Sequence, residues 1–199
     1  AFRKVIPADF STAAFPLLAA ALAGDGVVIR NLDFTDAQGD KKVFSYFEQM
    51  GAKIGHGAEL TVGPTGGRLR GCSIDMNETP DALPAMAVAA ALAEGETRLV
   101  NVPQARVKET DRIAVMASEL GKMGADIEEL PDGMIIRGGR LHGAEVSSFA
   151  DHRIAMALAV AGLAADGETV IDGAEAASVT YPDFIRDFQN IGADFTVIQ

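Results

Sequence analysis

A single cysteine, Cys72, occurs among the 199 residues, so neither an intrachain disulfide nor a zinc site built from cysteines can form. We expect this lone thiol to be buried and inert, as most free cysteines are. The longest apolar run, residues 13–23, has about half the length that a bilayer-spanning helix needs, and the first residues contain no apolar signal-peptide core. With 17 basic residues against 28 acidic ones, the net charge of -11 gives no general affinity for nucleic acids. The sequence therefore predicts a soluble, cytoplasmic protein with neither nucleic acid nor membrane as a partner.

The most informative feature that is present is one pattern repeated along the chain. Each copy has an Asp, an alanine-rich apolar helix, a glycine stop and a β-branched strand, followed by an amphipathic helix that closes on Gly-Ala. The copies begin these helices at or just after Asp9, Asp81 and Asp151, and their Gly-Ala pairs start at Gly51, Gly124 and Gly192. We predict an α+β fold in which a β-α-β-α-β-β unit occurs in pseudo-threefold repetition.

The chain contains no linker, charge block or low-complexity tract, which predicts one domain over residues 1–199. Within it, the copies are expected at about residues 1–74, 75–146 and 147–199, the third incomplete. A strand at residues 1–5 would open the first copy.

The alanine-rich helices are apolar all round, which is typical of helices that are buried on every side. We therefore expect three parallel helices at the centre, surrounded by sheets, with their N-termini side by side at one face. That face would carry Asp9, Asp81 and the segment 151–153, and the positive ends of the helix dipoles would add there. Because proline is tolerated best in a first turn, Pro16 predicts that the first of these helices begins near residues 12–13.

The densest group of charges is the segment 106–112, Arg-Val-Lys-Glu-Thr-Asp-Arg. An apolar-periodic run follows it, so we place this segment on a loop that enters a helix, with Thr110 as the N-cap. Three cations beside a helix N-terminus can hold a doubly charged anion. A glutamate within such a group, Glu109, is a candidate acid or base.

This segment closely resembles the signature of the 5-enolpyruvylshikimate-3-phosphate synthases (3-phosphoshikimate 1-carboxyvinyltransferases). Segments 75–82, 151–157, 7–15 and 181–184 resemble further motifs of the family, in the same order and spacing. The resemblance covers the whole chain and implies the C-terminal lobe of a two-lobed enzyme. It also implies that the missing N-terminal lobe is a partner and that this chain alone is inactive.

The resemblance implies a reaction that moves the enolpyruvyl group of phosphoenolpyruvate to the 5-hydroxyl of shikimate 3-phosphate and releases phosphate. It requires no metal and no organic cofactor. Asp81 would take the hydroxyl proton and bond the shikimate hydroxyls. Glu109 would protonate and deprotonate the methylene carbon. Since nearby cations lower the pKa of a carboxylate, Glu109 would need burial or a bound anion to serve as an acid.

Further residues are expected to bind substrate. Lys108 would contact the shikimate-derived substrate and the proton-transfer network, and His152 would be a second titrating group. Arg112 and Arg153 would hold phosphoenolpyruvate bidentately, and glyphosate, an inhibitor of the family, would compete there. Gln104 stands where many members have Asn and could still donate to the phosphate.

Several of these residues could instead have purely structural roles. Asp81 could cap the second buried helix, and Arg106 could only support its loop. His56 and His142, in glycine-rich turns, have no cluster of partner residues around them and are expected to be solvated. Val179 stands where many members have a lysine, so the role of that lysine is not carried over.

Two other functions share this architecture. One is the sister enolpyruvyl transferase that acts on UDP-N-acetylglucosamine, against which the Lys-Glu-Thr-Asp-Arg match argues. The other is a non-catalytic domain that binds anions.

Overall fold

The computed structural model describes Arg3 and residues 6–23, 26–57, 59–63 and 68–198. The α-helices in these ranges are α1 Phe10–Leu22, α2 Lys42–Gln49, α3 Leu83–Leu92, α4 Arg112–Lys122, α5 His152–Leu163 and α6 Phe184–Asn190. The strands are β1 Val27–Ile29, β2 Lys53–His56, β3 Leu60–Gly63, β4 Ser73–Asp75, β5 Glu96–Val100, β6 Asp126–Leu130, β7 Gly133–Arg137, β8 Glu145–Ser147 and β9 Val170–Asp172. Short 3₁₀ turns span Gly39–Lys41, Pro80–Ala82, Pro103–Val107 and Ala174–Val179.

The helices α1, α3 and α5 pack against one another in every pairing and form the centre of the hydrophobic core. Their alanines allow the helix backbones to approach closely, and α3 is buried from Leu83 to Ala91. The N-termini meet at one face, since Arg153 Nη2 near the start of α5 donates to Ser11 Oγ near the start of α1 at 2.9 Å. The prediction of three buried, parallel helices is confirmed.

The strands surround these helices as small sheets with the orders β1-β3-β2, β4-β5-β7-β6 and β8-β9. In the second sheet, β4 runs parallel to β5, whereas β5 and β6 each run antiparallel to β7. This sheet, with α3 and α4, gives one complete β-α-β-α-β-β unit. The α+β fold with repeated units is therefore as the sequence predicted.

The strand pairing places the boundaries between the copies earlier in the chain than the sequence predicted. β4 pairs with β5 of the second repeat, and β8 pairs with β9 of the third. The boundaries near residues 74 and 146 had left these strands at the ends of the preceding copies. A parallel pair needs a crossover helix between its strands, so each of these strands opens a copy. The strand predicted at residues 1–5 lies outside the described residues apart from Arg3.

The start of α1 differs from the expectation. The helix begins at Phe10, because Asp9 caps it by accepting hydrogen bonds from the backbone N–H groups of Ser11 at 3.2 Å and Thr12 at 2.9 Å. Pro16 consequently lies inside the helix, beyond its first turn. Its missing donor leaves the Thr12 carbonyl unpaired within the helix. Both residues are only half-buried, so water can reach that side of the helix.

Two other predicted caps are wrong. The N-cap of α4 is Asp111, which accepts from the Ala114 N–H at 3.0 Å, and Thr110 instead donates to Asp151 Oδ2 at 3.3 Å. Asp81 lies in a 3₁₀ turn ahead of α3, whose N-cap position makes no side-chain hydrogen bond. Its carboxylate is therefore free to pair with other groups.

The cysteine and the two histidines that were expected to have no functional role lie mostly where they were predicted. Cys72 is half-buried rather than fully buried, and burial raises the pKa of its thiol, which keeps it protonated and unreactive. His142 is exposed. His56 is also exposed, and its Nε2 lies 2.9 Å from Glu48 Oε1. Among the residues described, no helix has both the length and the apolarity to cross a membrane.

Close backbone contact at two glycines repeats between copies. A Cβ atom on Gly71 would lie 2.3 Å from the carbonyl oxygen of Glu96, and one on Gly143 would lie 2.0 Å from that of Glu168. Each glycine directly precedes the start of a parallel strand pair. Only hydrogen can occupy the space between these two chains.

We therefore expect Gly143→Ala to separate β8 from β9 and to lower the free energy of unfolding by about 2 kcal/mol. Urea denaturation followed by circular dichroism measures this change. Gly139→Ala is the control, because a Cβ there meets no atom within 4 Å. Equal transition midpoints for the two variants would contradict the proposed close packing.

Candidate active site

A buried arginine lies at the centre of the charged face. Arg112, the first residue of α4, has 1% of its side chain exposed. Its Nη1 donates to Asp81 Oδ1 at 2.8 Å and its Nε to Asp151 Oδ2 at 2.8 Å. Its Nη2 donates to Glu109 Oε2 at 2.6 Å and to Asp151 Oδ1 at 3.3 Å. The planar guanidinium thus joins carboxylates from three segments of the chain.

Asp151 links this arginine to the third central helix. Its side chain is fully buried, and its Oδ1 accepts from the backbone N–H groups of Arg153 at 2.8 Å and Ile154 at 3.4 Å, so it caps α5. Burial raises the pKa of Asp151, but the hydrogen bonds and charge of Arg112 outweigh burial and hold that pKa below its usual value. Asp151 is therefore ionised and fixed. The sequence placed it at this face without assigning it a role.

Asp81 lies between the cations of the site. Its Oδ1 is 3.1 Å from Lys108 Nζ as well as 2.8 Å from Arg112 Nη1, and its Oδ2 is 3.7 Å from Arg153 Nη2. With 31% of its side chain exposed, it remains open to a ligand. Burial raises the pKa of Asp81, and the charges of Arg153, Lys108 and Arg112 together lower it below its ordinary value.

Glu109 and His152 form the outer part of the cluster. Glu109 has 48% of its side chain exposed, and its Oε1 lies 3.8 Å from His152 Nδ1. His152 is buried at the start of α5. Burial, and next the positive charge of Arg153, lower the pKa of His152, so the ring is neutral at neutral pH. Small movements would bring the two groups into hydrogen-bond contact.

Arg153 is a buried cation with spare hydrogen-bond capacity. It is 7% exposed, and its Nη2 donates to Ser11 Oγ. Its buried Nη1 has no hydrogen-bond partner among the described residues. A buried guanidinium N–H without a protein acceptor is suited to an anionic ligand.

Sequence reasoning missed one residue of this face. Asp40, in the 3₁₀ turn Gly39–Lys41, has a buried Oδ1 that likewise lacks a partner among the described residues. It lies near enough to Asp81 and Arg153 to interact with their charges. The repeats offered a signal, because Asp40 shortly precedes α2 as Asp111 precedes α4.

The remaining predicted residues lie at the edge of the cluster. Gln104 uses its amide nitrogen on Asn77, at 2.7 Å from the side-chain oxygen and 3.3 Å from the carbonyl oxygen. It therefore connects the segment before Asp81 to the loop before Arg112. Val179 is exposed and apolar, as expected of a position that supplies no cation.

The structure thus brings six of the predicted residues into one cluster: Asp81, Lys108, Glu109, Arg112, His152 and Arg153. Cations and helix N-termini can hold an anion there, and carboxylates can move protons beside it. In the described part of the chain, no group of three or more His, Cys, Asp or Glu side chains is arranged to hold a metal ion.

Comparison with known proteins gives the same family as the motifs. A sequence profile of EPSP synthase (3-phosphoshikimate 1-carboxyvinyltransferase) matches residues 1–188. The 3-phosphoshikimate 1-carboxyvinyltransferase of Ruminiclostridium cellulolyticum is 56% identical over 197 residues, which are 99% of this chain and 46% of the relative. That of Methanocella arvoryzae is 50% identical over 193 residues, 96% of this chain and 46% of the relative.

The three-dimensional comparison agrees. EPSP synthase of Acinetobacter baumannii superposes with a TM-score of 0.84 at 34% sequence identity, over 98% of this chain and 48% of that one. The chain therefore spans about half the length of the relatives that it matches. It belongs to the EPSP synthase (3-phosphoshikimate 1-carboxyvinyltransferase) family.

Proposed function

We propose that this chain is the C-terminal lobe of an enzyme that transfers the enolpyruvyl group of phosphoenolpyruvate to the 5-hydroxyl of shikimate 3-phosphate. The observation that carries the proposal is the convergence of Asp81, Lys108, Glu109 and Arg112, with distances of 2.6–3.1 Å between paired atoms. The names of the similar proteins support it, since they describe transfer of a carboxyvinyl group to 3-phosphoshikimate. Because the chain spans about half of those relatives, the complementary lobe is a required partner.

In the proposed reaction, Asp81 accepts the proton of the attacking hydroxyl while that oxygen bonds to C2 of phosphoenolpyruvate. The cations around Asp81 hold its pKa low, which makes it a weak base in the unliganded chain. Binding of substrate phosphate or carboxylate to those cations offsets their field. The carboxylate of Asp81 then becomes more basic when both substrates are present.

Glu109 would deliver a proton to the methylene carbon as the C–O bond forms, giving a tetrahedral intermediate. It would then remove a proton from the resulting methyl group while phosphate leaves. In this chain Glu109 is half-exposed and pairs with Arg112. Closure of the other lobe would exclude water from this half-exposed carboxylate during the transfer. The neutral ring of His152, 3.8 Å away, can exchange protons with it.

The two arginines would bind phosphoenolpyruvate unequally. Arg112 already donates to three carboxylates, so it can offer an anion little beyond its charge. Arg153 has an unpartnered Nη1 among the described residues. We assign the main anion contact to Arg153 and a supporting role to Arg112.

Asp40 would respond to the same anion. Burial raises the pKa of Asp40, and the negative charges of Asp81 and Asp9 raise it further against the opposing effect of Arg153. When Asp40 is protonated it carries no negative charge, so it does not repel an anion bound to Arg153.

The decisive test joins the chain with the complementary lobe. We expect phosphate release from phosphoenolpyruvate and shikimate 3-phosphate by the two-lobed protein, and none by the 199 residues alone. Turnover by the chain alone contradicts the need for the second lobe. Binding of both ligands without turnover in the two-lobed protein identifies a non-catalytic anion-binding domain instead.

Within the two-lobed protein, Glu109→Gln is expected to lower kcat about 100-fold or more, since the amide cannot carry the proton. Steady-state phosphate release measures the effect. Glu128→Gln is the matched control, because Glu128 is an exposed residue of β6 that also pairs with an arginine. A change within twofold for Glu109→Gln would remove this residue from the mechanism.

Asp40→Asn tests the raised pKa in the chain itself. The folded state holds the Asp40 proton more tightly than the unfolded state does, so ionisation costs stability as pH rises through the folded pKa. At neutral pH, Asp40→Asn should therefore raise Tm by about 2 °C, and the gain should disappear below about pH 4. Differential scanning calorimetry with Asp194→Asn, at an exposed position, as the control measures this difference. A lower Tm at neutral pH would show that the ionised carboxylate is stabilising.

A further inference from the structure

One arginine outside the cluster holds the loop that carries part of it. Arg106, in the 3₁₀ turn Pro103–Val107, donates from Nε to the Pro131 carbonyl at 2.8 Å and from Nη1 to Asp111 Oδ2 at 2.7 Å. Its Nη2 donates to the Leu130 carbonyl at 2.6 Å and to Glu129 Oε1 at 2.8 Å. Every guanidinium nitrogen is thus used, on the β6–β7 hairpin and on the cap of α4.

The loop that follows is held by side chains rather than by its backbone. Lys108, Glu109 and Thr110 make no backbone–backbone hydrogen bond within the ranges that the structure describes. Val107 is 82% exposed and adds no packing to the core. The position of this loop therefore depends on side chains, with Arg106 at its start and Arg112 at its end.

Asp111 couples the two ends. Its Oδ1 accepts from the Ala114 N–H and caps α4, while its Oδ2 accepts from Arg106. The start of the helix that carries Arg112 is thereby tied to the hairpin through one guanidinium. A lysine could not reproduce this, because its donors radiate from a single nitrogen.

We propose that Arg106 is a positioning residue for the enolpyruvyl transfer, which fixes Lys108 and Glu109 against Asp81 and His152 by tying their loop to the β6–β7 hairpin. This inference rests on the proposed function. Arg153 lies on a central helix and does not depend on the loop, so loosening the loop should impair proton transfer more than binding of phosphoenolpyruvate.

The test compares Arg106→Gln and Arg106→Lys in the two-lobed protein with Arg137→Gln. Arg137 is a matched control, since it lies on the same hairpin and pairs with Glu96 at 3.5 Å and with Asp126 and Glu128 at 3.4 Å, away from the loop. Arg106→Gln should lower kcat at least 10-fold with the KM for phosphoenolpyruvate within twofold. Arg106→Lys should recover part of the loss, and Arg137→Gln should resemble the unmodified protein.

Nitrogen-15 NMR relaxation of residues 107–110 in the chain itself provides a readout that needs no turnover. The backbone order parameters of these residues should fall below about 0.6 in Arg106→Gln and stay as in the unmodified chain in Arg137→Gln. Asp111→Asn keeps a capping side chain but loses the ion pair, so it should resemble Arg106→Gln and add little when the two are combined.

Unchanged order parameters in Arg106→Gln overturn the proposal, as does a raised KM with an unaltered kcat. A lower kcat, a raised KM and a lower Tm in both the Arg106 and the Arg137 variants also overturn it, because any surface ion pair would then have the same effect. If the unmodified two-lobed protein releases no phosphate, the proposed function fails, while the order parameters still decide whether Arg106 anchors the loop.

Discussion

A buried guanidinium must be paired with acceptors, and the partners of Arg112 come from separate parts of the fold. The fold and the candidate site therefore depend on each other. Removing one partner from a buried ion pair costs about 3–5 kcal/mol, because a charge is then left without compensation. The partners of Arg112 come from the turn before α3, from its own loop and from the cap of α5. These segments can meet only if the N-termini of the central helices lie side by side. The alanine-rich sequence of those helices, which permits close packing, is therefore a condition for the charge cluster.

The charge balance of the cluster explains how an acidic face can accept an anion. Lys108, Arg112 and Arg153 stand against four carboxylates, so pairwise charge alone does not favour a phosphate. Asp151 is fully engaged by Arg112 and by the cap of α5, and burial together with the charge of Asp81 raises the pKa of Asp40. Among the residues that the structure describes, the buried Nη1 of Arg153 has no hydrogen-bond partner, and it lies near the N-termini of the central helices. The selectivity of the face thus rests on which groups have free hydrogen-bonding capacity.

Sequence reasoning succeeded where a pattern extends over many residues and failed where neighbouring residues compete. The alanine-rich runs and Gly-Ala closures predicted the repeated unit, because burial on all sides leaves no other composition for such helices. Thr110 and Asp111 are both residue types that cap helices. Asp111 is the N-cap of α4, because Arg106 binds its second carboxylate oxygen and holds the side chain in place. Asp40 escaped notice although its place in the repeat matches that of Asp111, because its neighbours Asp81 and Arg153 are distant in sequence. Pro16 is tolerated inside α1 because it lies on the half-exposed side of the helix. The apolar sequence of this segment does not show which side of the helix is exposed.

Exposure divides the cluster into a floor and a rim. Arg112, Asp151, His152 and Arg153 are buried and form the floor, in which Asp151 bonds both the Arg112 side chain and the Arg153 backbone. Asp81, Lys108 and Glu109, to which the proposed chemistry assigns proton transfer and substrate contact, form the rim. A rigid floor preorganises the charges before the reaction begins, whereas the proposed chemistry at the half-exposed rim calls for a second surface that excludes water. Arg106 belongs to neither group and ties the loop of Lys108 and Glu109 to the β6–β7 hairpin, which is how a residue without substrate contact can govern the proposed reaction.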